Sequence, residues 1–161
     1  MSKFLNNKGF TLVEIFVVMT IISILAAIAI PTYIGIRDSA KVSFLQSKGN
    51  MAAKQLNQWV LDVTGANDGN CVDTNFDGTI NSNDLTCSQI ITNGFSATYV
   101  AGRNALNTNQ EKSPWDSSIQ LWTTNSATPS GQISISEDNL QITIQARDNK
   151  GNTVYQSTVT K

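Results

Sequence analysis

The stretch KGFTLVEIFVVMTIISILAAIAIP, residues 8 to 31, decides how the rest of the chain is organised. From Phe10 to Ile30 almost every side chain is apolar. At about 1.5 Å per residue a helix of this length crosses a hydrocarbon layer of roughly 30 Å. Glu14 interrupts the run near its start. A carboxylate in lipid costs roughly 2.5 kcal/mol or more at mid-span, so this glutamate either lies shallow, against headgroups and water, or has a function that justifies its cost.

Outward from this block, the first nine residues, MSKFLNNKG, are polar and hold no apolar run of secretory-signal length. Lys3 and Lys8 precede the hydrophobic segment, which places the N-terminus in the cytoplasm and the bulk of the chain across the membrane. At 161 residues the length suggests one domain. The formal charge of -1 provides no basic field for nucleic acid or an anionic surface. Histidine is absent altogether, which removes the commonest general base near neutral pH and the usual zinc or copper ligand. A hydrolase would need a nucleophile with a base, and heme attachment motifs are absent, so the expectation is a protein that is not an enzyme and has no catalytic residues.

A short basic leader ending in Gly9, then Phe10-Thr11-Leu12-Val13-Glu14, then an apolar helix reaching Ala26-Ala27-Ile28-Ala29-Ile30-Pro31, resembles the class III signal of type IV pilins and type II secretion pseudopilins. The resemblance covers residues 8 to about 40. It implies cleavage by a prepilin peptidase between Gly9 and Phe10, N-methylation of Phe10, and assembly into a homo-oligomeric helical filament. It also answers the question of Glu14: in a bundle of such helices its carboxylate pairs with the Phe10 amine of a neighbour, each charge relieving the other's burial, so that its cost in lipid biases the subunit toward assembly. Ser23 stands where the family commonly has glycine, and Pro31 is expected to kink or loosen the helix.

Beyond Pro31 the pattern becomes amphipathic. Leu45, Ala52, Leu56, Trp59, Val60 and Val63 recur at intervals of three, four and seven, one stripe of a helix, while Arg37, Asp38, Lys41, Lys48 and Lys54 mostly occupy the rest of the arc. The reading is a single long helix over 10–63, its 10–30 part spanning the membrane and forming the filament core. It is weakened at Gly49 and stopped near Gly65. Residues 64–161 then form a globular head.

The stretch NDGNCVDTNFDGTINSNDLTC, residues 67 to 87, is the second informative one. Asp73, Asn75, Asp77, Gly78, Thr79, Ile80 and Asp84 fit the spacing of an EF-hand calcium loop with aspartate in the last place. On that spacing Asp73, Asn75 and Asp77 converge on a Ca2+ ion, Gly78 permits the sharp turn, Thr79 offers its carbonyl, Asn81 reaches directly or through water, and Asp84 closes the shell. Ile80 is expected to anchor the loop to the core. The final aspartate resembles the calcium repeat of dockerins. The alternative is a solvated series of Asn/Asp turns. Cys71 and Cys87 bracket the loop, and in an exported domain a disulfide between them is expected over two separate thiols, closing a loop worth roughly 3 kcal/mol in chain entropy.

After the loop, residues 90–100 are mixed and 104–112 read as a polar linker. SPWDSSIQLW, residues 113–122, combines a Pro-Trp turn, in which Trp115 is expected to anchor the core, with an Ile119/Leu121 strand. QISISED, LQITIQA and TVYQSTVT alternate in period two, three connected strands of an antiparallel meander. The fold class is α+β: a long N-terminal helix, membrane-spanning in its first half, packed on a small antiparallel sheet.

The resemblance implies a structural subunit of a type IV pilus with a calcium-stabilised head; the alternative is the major pseudopilin of a type II secretion system. Those pseudopilins usually lack the disulfide and carry calcium later in the sheet, so the cysteine bracket favours the pilin. The implied partners are other copies of the chain, the inner membrane before assembly, the prepilin peptidase and the assembly machinery. The implied location is the inner membrane as precursor, then an extracellular filament. A DNA-uptake role is disfavoured: of 11 basic side chains Lys3 and Lys8 leave with the leader, against 12 acidic ones that all remain, so no nucleic acid partner is expected.

Overall fold

The computed structural model describes residues 9–66, 68–105, 111–125 and 131–161. Residues 1–8 of the expected leader and 106–110 of the expected linker lie outside the described residues. The chain divides into two compact units, Met1–Ala40 and Lys41–Lys161. In the first, helix α1 begins at Leu12 and continues through Pro31. The large apolar side chains of this unit are exposed throughout, from Phe10 just before the helix, at 83%, to Ile36. Thr20, Ser23 and Thr32 tie their hydroxyls back to the carbonyls of Phe16, Met19 and Ile28, so none of these polar groups is left unpaired on an apolar cylinder.

In the second unit α1 runs on to Gly65, where the expected stop falls. The stripe read from the sequence is its buried face: Leu45, Ala52, Leu56, Trp59, Val60 and Val63 all lie in the core. Gly49 is also buried, for a reason periodicity does not reveal. A Cβ at this position would lie 2.6 Å from Tyr155 Cδ1, so the missing side chain lets the aromatic ring sit against the helix.

The helix stripe packs on a four-stranded sheet in the order β1-β2-β3-β4, formed by Trp122–Thr123, Ile133–Glu137, Gln141–Arg147 and Thr153–Thr160. The last three form the expected antiparallel meander, with Ile135 opposite Ile144 and Ile142 opposite Val159. Alternation explains the packing, since Ile133 and Ile135 on β2 and Ile142, Ile144 and Ala146 on β3 are fully buried on one face. β1 differs from the expectation. It is only two residues long, lies later than Ile119, and pairs with β2 in parallel, which makes the sheet mixed. Trp122, at 1% exposure, rather than Trp115, is the fully buried indole of this segment.

Residues 90–100, mixed by sequence, and the first two residues of the expected linker fall in two helices, α2 (Cys87–Asn93) and α3 (Phe95–Ala105). Thr86 caps α2: its hydroxyl accepts from Gln89 N, and the Gln89 side chain accepts from Thr86 N. Gly94, at φ +88°, ends α2 and lets α3 begin one residue later. α2 is too short for its apolar spacing to stand out by periodicity, and the buried face of α3 mixes Phe95 and Tyr99 with Ser96, Thr98 and Arg103, so its stripe is not uniformly apolar.

Candidate functional site

Two segments carry the chemistry that the sequence singles out. The first is the start of α1. Thr11 and Glu14 form a capping box: the Glu14 carboxylate accepts from Thr11 N at 2.8 Å and from Thr11 Oγ1 at 2.7 Å, and Glu14 N donates to Thr11 Oγ1 at 3.2 Å. Within a single chain, then, Glu14 is satisfied by neutral donors of its own helix end. Its negative charge has no cation beside it among the described residues. The role of Thr11 is missing from the sequence reading, although Thr-x-x-Glu just before an apolar run is the signal for it.

The second segment is the bracketed loop. Cys71 and Cys87 are joined, with Cα atoms 5.9 Å apart. The bond sits beside the antiparallel bridge of Asn70 to Thr86, so the two ends of the loop are held both covalently and by backbone pairing. Inside, Asp73 accepts from Asp77 N at 3.2 Å and Gly78 N at 2.8 Å, wrapping the chain into a turn that needs Gly78 at φ +91°. Asp77 accepts from Thr79 N at 2.8 Å and Thr79 Oγ1 at 2.7 Å; these bonds, the hydroxyl's first, hold its carboxyl below the usual aspartate range.

Asn75 donates to Asp77 Oδ2 at 3.0 Å. The Asn81 amide nitrogen lies 3.0 Å from Thr79 Oγ1 and 3.4 Å from both Thr79 O and Asp77 Oδ2. Asp84 is buried, and both its oxygens accept backbone amides, from Thr74 and Asn75 on one and from Asn81 on the other. Burial pushes the Asp84 carboxyl up, but the amides of Asn81, Thr74 and Asn75 and the Thr74 hydroxyl outweigh it and hold it below the ordinary aspartate value. Among the described residues no three His, Cys, Asp or Glu side chains form a metal-holding group; the loop's other donors are Asn, Thr and carbonyl oxygens.

The loop is anchored by Phe76 and not by Ile80, which is 56% exposed. Phe76, at φ +58°, stacks on Trp59 at 5.7 Å and meets Tyr99 edge-on at 5.3 Å. Period counting from Gly78 favours the isoleucine, but the backbone turn at Phe76 points the larger ring inward. Gly102 of α3 completes the seat, since a Cβ there would lie 2.1 Å from the Thr74 carbonyl. Next to this aromatic cluster, Glu111 accepts from Lys48, from Arg103 Nη2 at 2.8 Å and from Trp122 Nε1, a partly buried charge network that links α1, α3 and β1.

Residues 5–30 match the prokaryotic N-terminal methylation motif. The Type IV major fimbrial protein FimA of Dichelobacter nodosus is 42% identical over 65 residues, which is 40% of this chain and 40% of the relative's length. No solved structure matches the chain. Over its N-terminal part the chain is therefore pilin-like: its methylation motif runs into the apolar start of a helix long enough to cross a membrane, and its similarity is to a fimbrial protein.

Proposed function

We propose that the chain is a structural subunit of a type IV pilus, cut between Gly9 and Phe10, N-methylated at Phe10 and assembled through its apolar helix. The observation that carries this reading is an exposed apolar helix that bears one carboxylate at its first turn, within a methylation motif. Residues 10–30 form the membrane span of the precursor and then the filament core, and the head beyond them lies on the far side of the membrane. In the assembled state the Phe10 amine of a neighbour replaces, or adds to, the neutral Thr11 donors on Glu14. An ion pair formed where water is excluded is stronger than a bond to an amide alone, and this difference drives addition.

The test is Glu14→Val, which keeps the span apolar. It is expected to insert in the membrane at wild-type levels and to fail in filament assembly, read as subunit recovered in sheared filaments. Wild-type filament yield would contradict the pairing. The fimbrial relative and the disulfide bracket favour a pilus over a secretion pseudopilus. Surface filaments at native expression are the expected outcome, and their absence would favour the pseudopilus.

We further propose that Asp73, Asn75, Asp77, Thr79, Asn81 and Asp84 hold Ca2+. An oxygen-only donor set suits a hard cation. The support from geometry is the Asn81 amide, whose nitrogen sits among Thr79 O, Thr79 Oγ1 and Asp77 Oδ2, the kind of oxygen cluster a cation occupies. Rotation of that amide exchanges its nitrogen for its oxygen. Asp84 would in turn trade backbone donors for the ion.

A further inference from the structure

β4 is an edge strand, bonded within the sheet to β3 alone. Its register with β3, and the bond from Lys161 N to Leu140 O, turn the backbone groups of Ser157 and Val159 toward β3 and those of Gln156, Thr158 and Thr160 outward. At the start of the strand the outward carbonyl of Val154 is taken by Gln46 Nε2 of α1 at 3.0 Å. The outward groups of Gln156, Thr158 and Thr160 meet no partner among the described residues, and all three residues are exposed.

Edges of this kind are normally protected by a charge, a proline or a covering element. Thr153–Thr160 contains no charged residue, no proline and no glycine, and most of it is β-branched or aromatic. A groove of about 280 Å³ separates this edge from α1, with Asn50, Lys54 and Asn57 on the helix side and Ser157 and Thr158 on the strand side. Lys54 is exposed and makes no ion pair among the described residues.

We propose that this edge receives an extended segment of a partner protein as a fifth strand, with its backbone paired to Gln156, Thr158 and Thr160 and an acidic side chain set against Lys54. Main-chain pairing supplies the affinity of such an addition, and the side chains that face the helix supply the selection. Asn50 and Asn57 suit polar side chains, and the single unpaired cation sets the sign of the charge they accept. The Gln46 bond at Val154 marks where pairing stops. A second copy of β4 is the wrong occupant. Thr153–Thr160 carries no acidic side chain, so a partner copy's β4 would leave Lys54 unpaired.

The experiment uses the full chain in detergent micelles and a fluorescein-labelled, amidated octapeptide of alternating threonine and valine with one central glutamate. Saturable binding by anisotropy is expected, weakened about threefold by Lys54→Gln or by glutamine in place of the peptide's glutamate, as for an exposed ion pair. Binding should be lost when the peptide amides that face β4 are N-methylated, and in Thr158→Pro. The Thr158 N–H points outward, so proline there breaks no bond to β3 and the variant should melt close to wild type. Absence of binding, or binding indifferent to both N-methylation and Thr158→Pro, would overturn the proposal. Indifference to Lys54→Gln and to the peptide's charge would overturn the acidic partner. Symmetric disulfide-linked dimers of Thr158→Cys would show that the strand pairs with itself instead.

Discussion

Glu14 and Glu111 are two carboxylates whose neighbours give them opposite tasks. Glu14 is bonded only to Thr11 and is left with a formal charge that no cation meets within the described chain, which suits a group completed by another subunit. Glu111 is completed within its own unit by Lys48, Arg103 and Trp122. Removing it strands the buried Arg103 and the half-buried Lys48, and Glu111→Ala is expected to cost about 2 kcal/mol, read by denaturant titration. Burial raises the Glu111 pKa, but the Lys48 and Trp122 hydrogen bonds and the Arg103 charge outweigh it, so the folded value lies below the ordinary 4.5. A depressed folded pKa means that the stability from this group is present above the unfolded pKa and is lost as the pH falls through the lower folded value. Thermal melts through the acid range should therefore show a steeper loss for wild type than for Glu111→Gln; equal slopes would mean the network carries no charge-dependent stability.

At the scale of elements, the bracketed loop joins three constraints: the Cys71–Cys87 bond, the Phe76 anchor and the proposed ion. Asp73, Asp77 and Asp84 are satisfied by backbone amides of their own loop, so a bound calcium would replace some of these donors and tie the three carboxylates to one centre. Sites of extracellular type bind with a dissociation constant of about 0.1 to 1 mM. At a hundredfold excess the linkage gain is about 2.7 kcal/mol, close to the roughly 3 kcal/mol of the disulfide. Calcium is expected to raise the melting temperature of the chain, and Asp77→Ala to remove that rise; calorimetric titration showing no uptake at millimolar calcium would leave a plain series of turns. Gly102→Ala should cost about 1 to 3 kcal/mol, because its methyl meets the backbone carbonyl of Thr74 rather than a movable side chain; a melt unchanged from wild type would mean that α3 slides off the loop freely.

These elements also differ in how legible they are in the sequence. The α1 stripe and the three alternating strands are readable because each repeats its period several times. The two short helices are not, since Gly94 ends α2 after seven residues and the buried face of α3 includes Ser96, Thr98 and Arg103, although Thr86 with Gln89, like Thr11 with Glu14, spells out a cap. The Phe76 anchor and the approach of Gly49 to Tyr155 depend on a positive φ and on contacts distant in sequence, which no local pattern encodes. The parallel pairing of β1 likewise depends on where the chain returns, not on its own two residues.

At the scale of the whole molecule, the central claim is that residues 1–9 are a removable leader and that the apolar half of α1 is built to be buried by copies of itself. The apolar side chains from Phe10 to Ile36 are exposed along α1, while the head from Lys41 onward contains its own core, disulfide and charge network. On the proposed function, the precursor is held in lipid by the apolar half of α1 and folded through its second unit, and it loses its leader before it can offer the Phe10 amine to a neighbour's Glu14. The most direct measurement is the intact mass of the subunit in filaments sheared from the cell surface. The account predicts the mass of a chain that begins at Phe10 and carries one added methyl group at its amine; a filament subunit that retains Met1 to Gly9 would contradict it.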